Sequence, residues 1–317
     1  MTSESEFIAS LRSLASDPAA RGLLDDTAVL VVGGTKLVLT HDMIVEGVHF
    51  LPGDPPADVA WKLLAVNLSD LAAKGARPTG ALLGYSLAAD THWDVSFVAG
   101  LTSAMKAYGV PLLGGDTVQA PEGAPRTLGL TLIGEATGSV PSRAGAKAGD
   151  ILWVSGAIGD AGAGLRIAKG EISGSANLVH RYRLPRPRLE AGQMLAPLVS
   201  AMMDVSDGLL IDTGRLASAS QLAARVELEN IPLSVDYIDA VGEGRAARLQ
   251  AAVAGDDYEL LFTASEDRSS EILVLSEKLG LSLSRIGRLE LGFGLDLTDC
   301  GDPVSLSDRL GYEHGVR

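Results

Sequence analysis

Runs of apolar residues, some continuous and some spaced at helical intervals, divide the chain into short strands and helices. Thr27–Val32 and Leu37–Thr40 are β-rich runs joined across Gly33-Gly34, the signal of a hairpin. Ala60–Lys74 places its leucines at helical spacing and stops at Gly75, which predicts a helix ended by a left-handed glycine. Ala81–Leu87 reads as a strand and Trp93–Tyr108 as a helix. Val110–Leu113 reads as a short buried strand running into Gly114-Gly115-Asp116, and Thr127–Ile133 as another strand. Ser139–Asp150, rich in small, turn-forming and basic residues, looks like a connection between domains.

The second half repeats the interleaving. Ile151–Ser155 predicts a strand, followed by a Gly-rich turn and a helix over Asp160–Lys169. Pro185 and Pro187 mark a helix start near Pro187. Met202–Val205 predicts a strand leading into Ser206-Asp207-Gly208 and a helix through Ser220. Ala224–Leu228, Tyr258–Thr263 and Leu283–Arg288 are strand candidates, with a helix over Ser269–Leu279. Strands and helices alternate throughout while the hairpin argues against a purely parallel sheet, so the expected class is α/β with some α+β character. The expected domains are residues 1–138 and 139–317.

Composition supports this picture. A chain of 317 residues is enough for two domains of about 150 each. With 46% apolar and 21% charged residues it has the balance of a folded protein rather than a disordered one. A single cysteine, Cys300, excludes an intrachain disulfide and a cysteine metal cluster. No basic start followed by an apolar run opens the sequence, and no 18-residue apolar stretch occurs, so a cytoplasmic protein is expected.

Charge narrows the function. The formal net charge of −14 repels nucleic acid and anionic membranes, and neither is expected as a partner. A protein this acidic that binds phosphates needs local positive charge, which a divalent metal supplies. The chain has no P-loop, no HExxH, no paired CxxC and no GxSxG. Instead aspartates recur where apolar runs end or helices begin: Asp25-Asp26, Asp42, Asp116, Asp204, Asp207 and Asp256-Asp257, with Asp70 inside a predicted helix. Hard oxygen ligands gathered from several strand ends suit Mg²⁺. Taken singly, each acid has a plainer reading as a turn former or helix cap, and Asp70 stands at ion-pair spacing from Lys74. His49 reads equally as a half-buried structural residue or a ligand contact, and Arg143 with Lys147 as solvated residues or a phosphate clamp.

Six segments occur in a fixed order: Asp42–Phe50 (DMIVEGVHF), Asn67–Pro78 (NLSDLAAKGARP), Gly114–Thr117 (GGDT), Ser142–Asp150 (SRAGAKAGD), Asp204–Leu209 (DVSDGL) and Gly255–Phe262 (GDDYELLF). Together they resemble the thiamine-monophosphate kinase family, within the aminoimidazole ribonucleotide synthetase-like superfamily. The resemblance implies an N-terminal α/β domain whose mixed sheet pairs in a homodimer, and a C-terminal α/β domain completing the site. It implies ATP-dependent phosphorylation of thiamine phosphate to thiamine diphosphate with several Mg²⁺ ions. By the same resemblance Asp25, Asp42, Asp70, Asp116, Asp204 and Asp207 are metal ligands. Gly115, Asp116, Arg143 and Ser206 contact ATP, and His49, Asp256 and Tyr312 contact thiamine phosphate. No side chain is assigned as a catalytic base.

Three positions depart from the family pattern. Leu24 stands where a glycine is usual, His41 where a threonine is usual, and Asp256 where a glutamate is usual. Two alternatives remain at this stage: an aminoimidazole ribonucleotide synthetase-like ligase, and a non-catalytic nucleotide-binding regulator.

Overall fold

The computed structural model describes residues 4–306 and 309–313. Its strands are β1 (Ala28–Val32), β2 (Thr35–Val45), β3 (Arg77–Leu87), β4 (Leu112–Gln119), β5 (Thr127–Ala136), β6 (Ile151–Ser155), β7 (Ala201–Asp204), β8 (Ala223–Glu227), β9 (Leu260–Ala264), β10 (Leu283–Glu290), β11 (Gly294–Asp299) and β12 (Asp302–Pro303). The helices are α1 (Glu4–Leu11), α2 (Pro56–Ala73), α3 (Thr91–Tyr108), α4 (Asp160–Ala168), α5 (Ala176–Arg183), α6 (Leu189–Leu195), α7 (Leu209–Ala219), α8 (Val235–Val241), α9 (Arg245–Ala252) and α10 (Ser269–Leu279).

Two mixed sheets result. The first runs β1-β2-β5-β3-β4, antiparallel except for β3 and β4. The second runs β12-β11-β8-β10-β6-β9-β7, with β8 and β11 its parallel pair. The Gly33-Gly34 turn forms as the pattern predicts, with both glycines at positive φ and Val32 opposite Thr35.

The helix α2 joins the two halves. It packs on β2, β3 and β5 of one sheet and on β7 and β9 of the other, and crosses α6. Nearly every residue from Val59 to Ala73 is buried, polar ones included. A helix buried all round has apolar residues on more than one face, as this one does at Leu63, Leu64, Leu68 and Leu71. Gly192 of α6 lets it approach, because a Cβ there would lie 1.9 Å from the Ala72 carbonyl oxygen.

One strand differs from expectation. The apolar run Val110–Leu113 suggested burial, but β4 begins at Leu112, carries the Gly-Gly-Asp within it, and is exposed along its whole length. It is a sheet edge hydrogen-bonded to β3 alone, so only Val110, which precedes it, reaches the core. The helices α5, α8 and α9 have only 7 or 8 residues each, too short for a period to register in the sequence.

Candidate functional site

Strand alternation sets the first carboxylates. Along β2, Val38, Thr40 and Ile44 are buried and Asp42 is partly buried, whereas His41 and Met43 are exposed. Thr40 and Asp42 therefore face α2. The Thr40 hydroxyl donates to Asp70, and the Asp42 backbone N–H donates to Asn67 Oδ1 at 3.0 Å. His41 projects from the opposite face, with Nδ1 2.8 Å from Thr131 Oγ1. The imidazole in place of a threonine thus lies away from the acids, and Thr40 provides the hydroxyl on their side.

Asp26, Asp70 and Asp204 each place one carboxylate oxygen within 4.8 Å of the others. They come from the loop before β1, from α2 and from the end of β7. The Ser69 hydroxyl donates to Asp204 Oδ2 at 2.6 Å. Burial, then the nearby charges of Asp42, Asp204 and Asp26, raise the Asp70 carboxyl well above its usual range. Burial and the Asp26 charge push Asp204 up to about 8, against the Ser69 hydrogen bond. Asp42 is pushed up to about 6 by burial and by Asp26 and Asp207. Asp26 moves the other way: burial opposes its ionisation, but Arg143 and Lys74 outweigh it and hold the carboxyl below its usual range.

Lys74 differs from the surface ion pair that its spacing from Asp70 suggests. It is fully buried, with Nζ 2.5 Å from Asp25 Oδ1 and 2.7 Å from Asp26 Oδ2, and it donates to the Met202 carbonyl at 3.2 Å. Asp25 also pairs with Arg21, and Arg143 pairs with Asp26. Of the adjacent acids, Asp26 joins the three-carboxylate group while Asp25 turns to Lys74 and Arg21. Neither Lys74 nor Asp26 is among the site residues named from sequence. The doublet Asp25-Asp26 is the only sequence signal for Asp26.

The segment after β7 is organised by a residue the sequence reading missed. Asp212, fully buried in α7, accepts from the backbone N–H groups of Ser206, Asp207 and Gly208 at 3.0, 3.1 and 3.3 Å. Arg215 Nη1 reaches both Asp212 Oδ1 at 2.8 Å and Asp207 Oδ2 at 2.5 Å. The loop Ser206–Gly208 is thus held by a carboxylate across the start of its own helix. Tyr312 donates its backbone N–H to the Asp207 carbonyl at 2.8 Å, bringing the C-terminal segment alongside.

The second loop lies against the first. The backbone N–H of Asp256 donates to the Ser206 carbonyl and that of Tyr258 to Val205, each at 2.8 Å. Gly255 permits this approach, since a Cβ there would lie 2.6 Å from the Ser206 oxygen. Asp256 and Asp257 then separate. Asp256 pairs with Lys62 at 2.8 Å, while Asp257 accepts from Gly159 N at 2.7 Å and Ala161 N at 3.2 Å, capping α4. His49 Nδ1 accepts from the Val45 backbone N–H at 3.1 Å. Gly115 and Asp116 lie on the exposed edge β4, with Asp116 in register with Gly84. Asp116 is outside the three-carboxylate group.

The carboxylate group has the chemistry of a hard-cation site. Its donors are oxygens, its members are mostly buried, and burial together with mutual repulsion raises two of the three carboxyls. A divalent cation would relieve that repulsion, and Mg²⁺ fits the donor set.

Comparison with known proteins bears on the whole chain. Residues 24–136 match the family model "AIR synthase related protein, N-terminal domain", and residues 147–299 match the corresponding C-terminal domain. Thiamine-monophosphate kinase of Caulobacter vibrioides is 39% identical over 307 residues, covering 94% of this chain and 86% of that protein. The Salmonella typhimurium enzyme of the same name is 38% identical, covering 92% and 91%. A solved structure described as "AaThiL complexed with AMPPCP and TMP" superposes with a TM-score of 0.85 at 29% identity, covering 98% of this chain and 97% of that one.

Proposed function

The chain belongs to the thiamine-monophosphate kinase family, and we infer from that membership and from the site that it phosphorylates thiamine phosphate at the expense of ATP, giving thiamine diphosphate and ADP. The observation that carries this reading is the convergence of Asp26, Asp70 and Asp204 from three distant segments into one buried group.

The acceptor is itself a phosphate monoester, whose second ionisation near pH ~6 leaves it mostly dianionic at neutrality. The nucleophile is therefore already formed, and no side chain is needed as a base. The obstacle is repulsion between the acceptor and the polyphosphate, so positioning and charge compensation do the catalysis. We assign Asp26, Asp42, Asp70, Asp204 and Asp207 to hold Mg²⁺, which when bound would neutralise phosphate charge. Arg143, the Ser206 loop and the Gly115-Asp116 edge are assigned to the nucleotide. His49, Asp256 and Tyr312 are assigned to thiamine phosphate. Asp25 acts with Arg21 and Lys74 as structural support for Asp26.

We further propose a homodimer formed through the first sheet. Its edge strand β4 exposes Leu112, Leu113 and Val118, and its other edge exposes Val31 and Val32. The domain boundary is placed after residue 138, and a cytoplasmic location is proposed. No helix among the described residues is long and apolar enough to cross a membrane. The test of function is ADP release from ATP that depends on both thiamine phosphate and Mg²⁺. ADP release indifferent to thiamine phosphate would overturn the reading.

A further inference from the structure

Lys62 is a buried lysine outside both the acidic group and the nucleotide contacts. It lies on α2, and its side chain is only 2% exposed. Its ammonium donates to Asp256 Oδ2 at 2.8 Å and to the His49 carbonyl at 2.9 Å, and it sits 4.2 Å from the centre of the Tyr182 ring. Two of its three protons have hydrogen-bond acceptors, and the charge also lies over the face of the Tyr182 ring. The ring is itself fixed, since the Tyr182 hydroxyl donates to Asp54 Oδ2 at 2.9 Å and Arg183 holds the other Asp54 oxygen at 2.8 Å.

Asp256 is different. Its side chain is 25% exposed. Its inward oxygen is held by Lys62, and Tyr258 donates its hydroxyl to the other at 3.1 Å. The residue has a positive φ of 71°, in the left-handed region that few side chains other than asparagine and aspartate adopt readily. A carboxylate so fixed on its inner side presents its outer side in one orientation.

We propose that Lys62 is a positioning residue for the acceptor substrate. It holds Asp256 and His49, which come from opposite halves of the chain, in one fixed relation where thiamine phosphate binds. The same helix carries Ser69 and Asp70, so the acceptor contacts are referenced to the acidic group by a single rigid element. The shorter side chain at position 256 is thereby met from within the protein. The ammonium is buried, bonded to two protein acceptors and covered by the Tyr182 ring, so its part is to hold Asp256 and the His49 carbonyl in place. This proposal rests on the reading of thiamine phosphate as acceptor.

The experiment is steady-state kinetics with each substrate varied in turn, on the full chain with Mg²⁺. Lys62→Met is expected to raise KM for thiamine phosphate about tenfold or more while KM for ATP changes by less than about twofold, with partial recovery in Lys62→Arg. Because Lys62→Met leaves Asp256 unpaired and could fail to fold, Tyr258→Phe serves as the second variant. It removes the other hydrogen bond to Asp256 without stranding a charge, and a selective rise of about threefold in the same KM is expected. An unchanged KM for thiamine phosphate, or equal changes for both substrates, in Lys62→Met overturns the proposal; should that variant not fold, an unchanged KM for thiamine phosphate in both Lys62→Arg and Tyr258→Phe does so. A wild-type chain inactive on thiamine phosphate overturns the functional reading instead.

Discussion

Ser69 donates its hydroxyl to Asp204 across 2.6 Å, joining a helix of the first half to a strand end of the second. Both residues are buried, and 135 positions separate them in sequence. The bond fixes one oxygen of Asp204 in a place where burial and like charges disfavour ionisation, and it opposes that tendency in part. The site is therefore assembled against its own electrostatics, which makes its energetics measurable.

Replacing Asp204 by Asn keeps the shape and removes an oxygen that must ionise to hold a cation. Turnover is expected to fall by about two orders of magnitude or more as the charge that holds a metal is lost. In the metal-free protein the melting temperature is expected to hold or rise. A coupled ADP assay and thermal melts in chelator check the two halves of this expectation. A variant with near-normal turnover at limiting Mg²⁺ removes Asp204 from the proposed metal site.

Protonation gives a second handle. Asp42 and Asp204 have folded-state values raised to about 6 and about 8, above the unfolded carboxyl. A raised value means the folded state binds protons the unfolded state has released, so stability is present at low pH and is lost as pH rises through the folded values. Metal-free protein should therefore melt at progressively lower temperature from about pH 4, where the unfolded carboxyls ionise, up to about 6 for Asp42 and about 8 for Asp204. Mg²⁺ should flatten that slope and raise the curve, by occupying the place of the protons. A flat profile in chelator would count against the group being strained by its own charges.

Lys74 is the counterweight to Asp25 and Asp26. Lys74→Met leaves two buried carboxylates without it, and breaking a buried pair in this way costs about 3–5 kcal/mol. Urea unfolding should show a loss of that order, with Arg21 and Arg143 retaining part of the compensation.

Asp212→Ala should act on the nucleotide rather than on folding alone. It frees three backbone N–H groups at Ser206, Asp207 and Gly208 and removes one partner of Arg215. We expect KM for ATP to rise about tenfold while KM for thiamine phosphate changes less, a split that kinetics with each substrate varied would reveal.

Local pattern carried much of this in the sequence. The hairpin at Gly33-Gly34, the helix ending before Gly75, and the strand Ile151–Ser155 are visible because each depends on neighbours in the chain. The recurrence of aspartates at the ends of apolar runs marks the acids, and the family resemblance carries their assignment as metal ligands. What neither shows is which partner a charge takes across the fold. Lys74 is four residues from Asp70, yet it pairs with Asp25 and Asp26, 49 and 48 residues away. Asp256 and Asp257 are adjacent, yet one meets Lys62 and the other caps α4. The exposure of β4 escapes the sequence for a related reason: four apolar residues mark a strand but do not say whether anything covers it.

The burial of α2 between the sheets has an evolutionary corollary. A chimaera that takes its front half from one relative and its back half from another would bring together Lys62, Ser69 and Lys74 with loops that never met them. Such recombinants should lose function wherever one parent lacks a member of these pairs, even if each half is sound, and regain it when the helix is transplanted together with the segments it touches. The heritable unit in this architecture is accordingly the seam and not the domain.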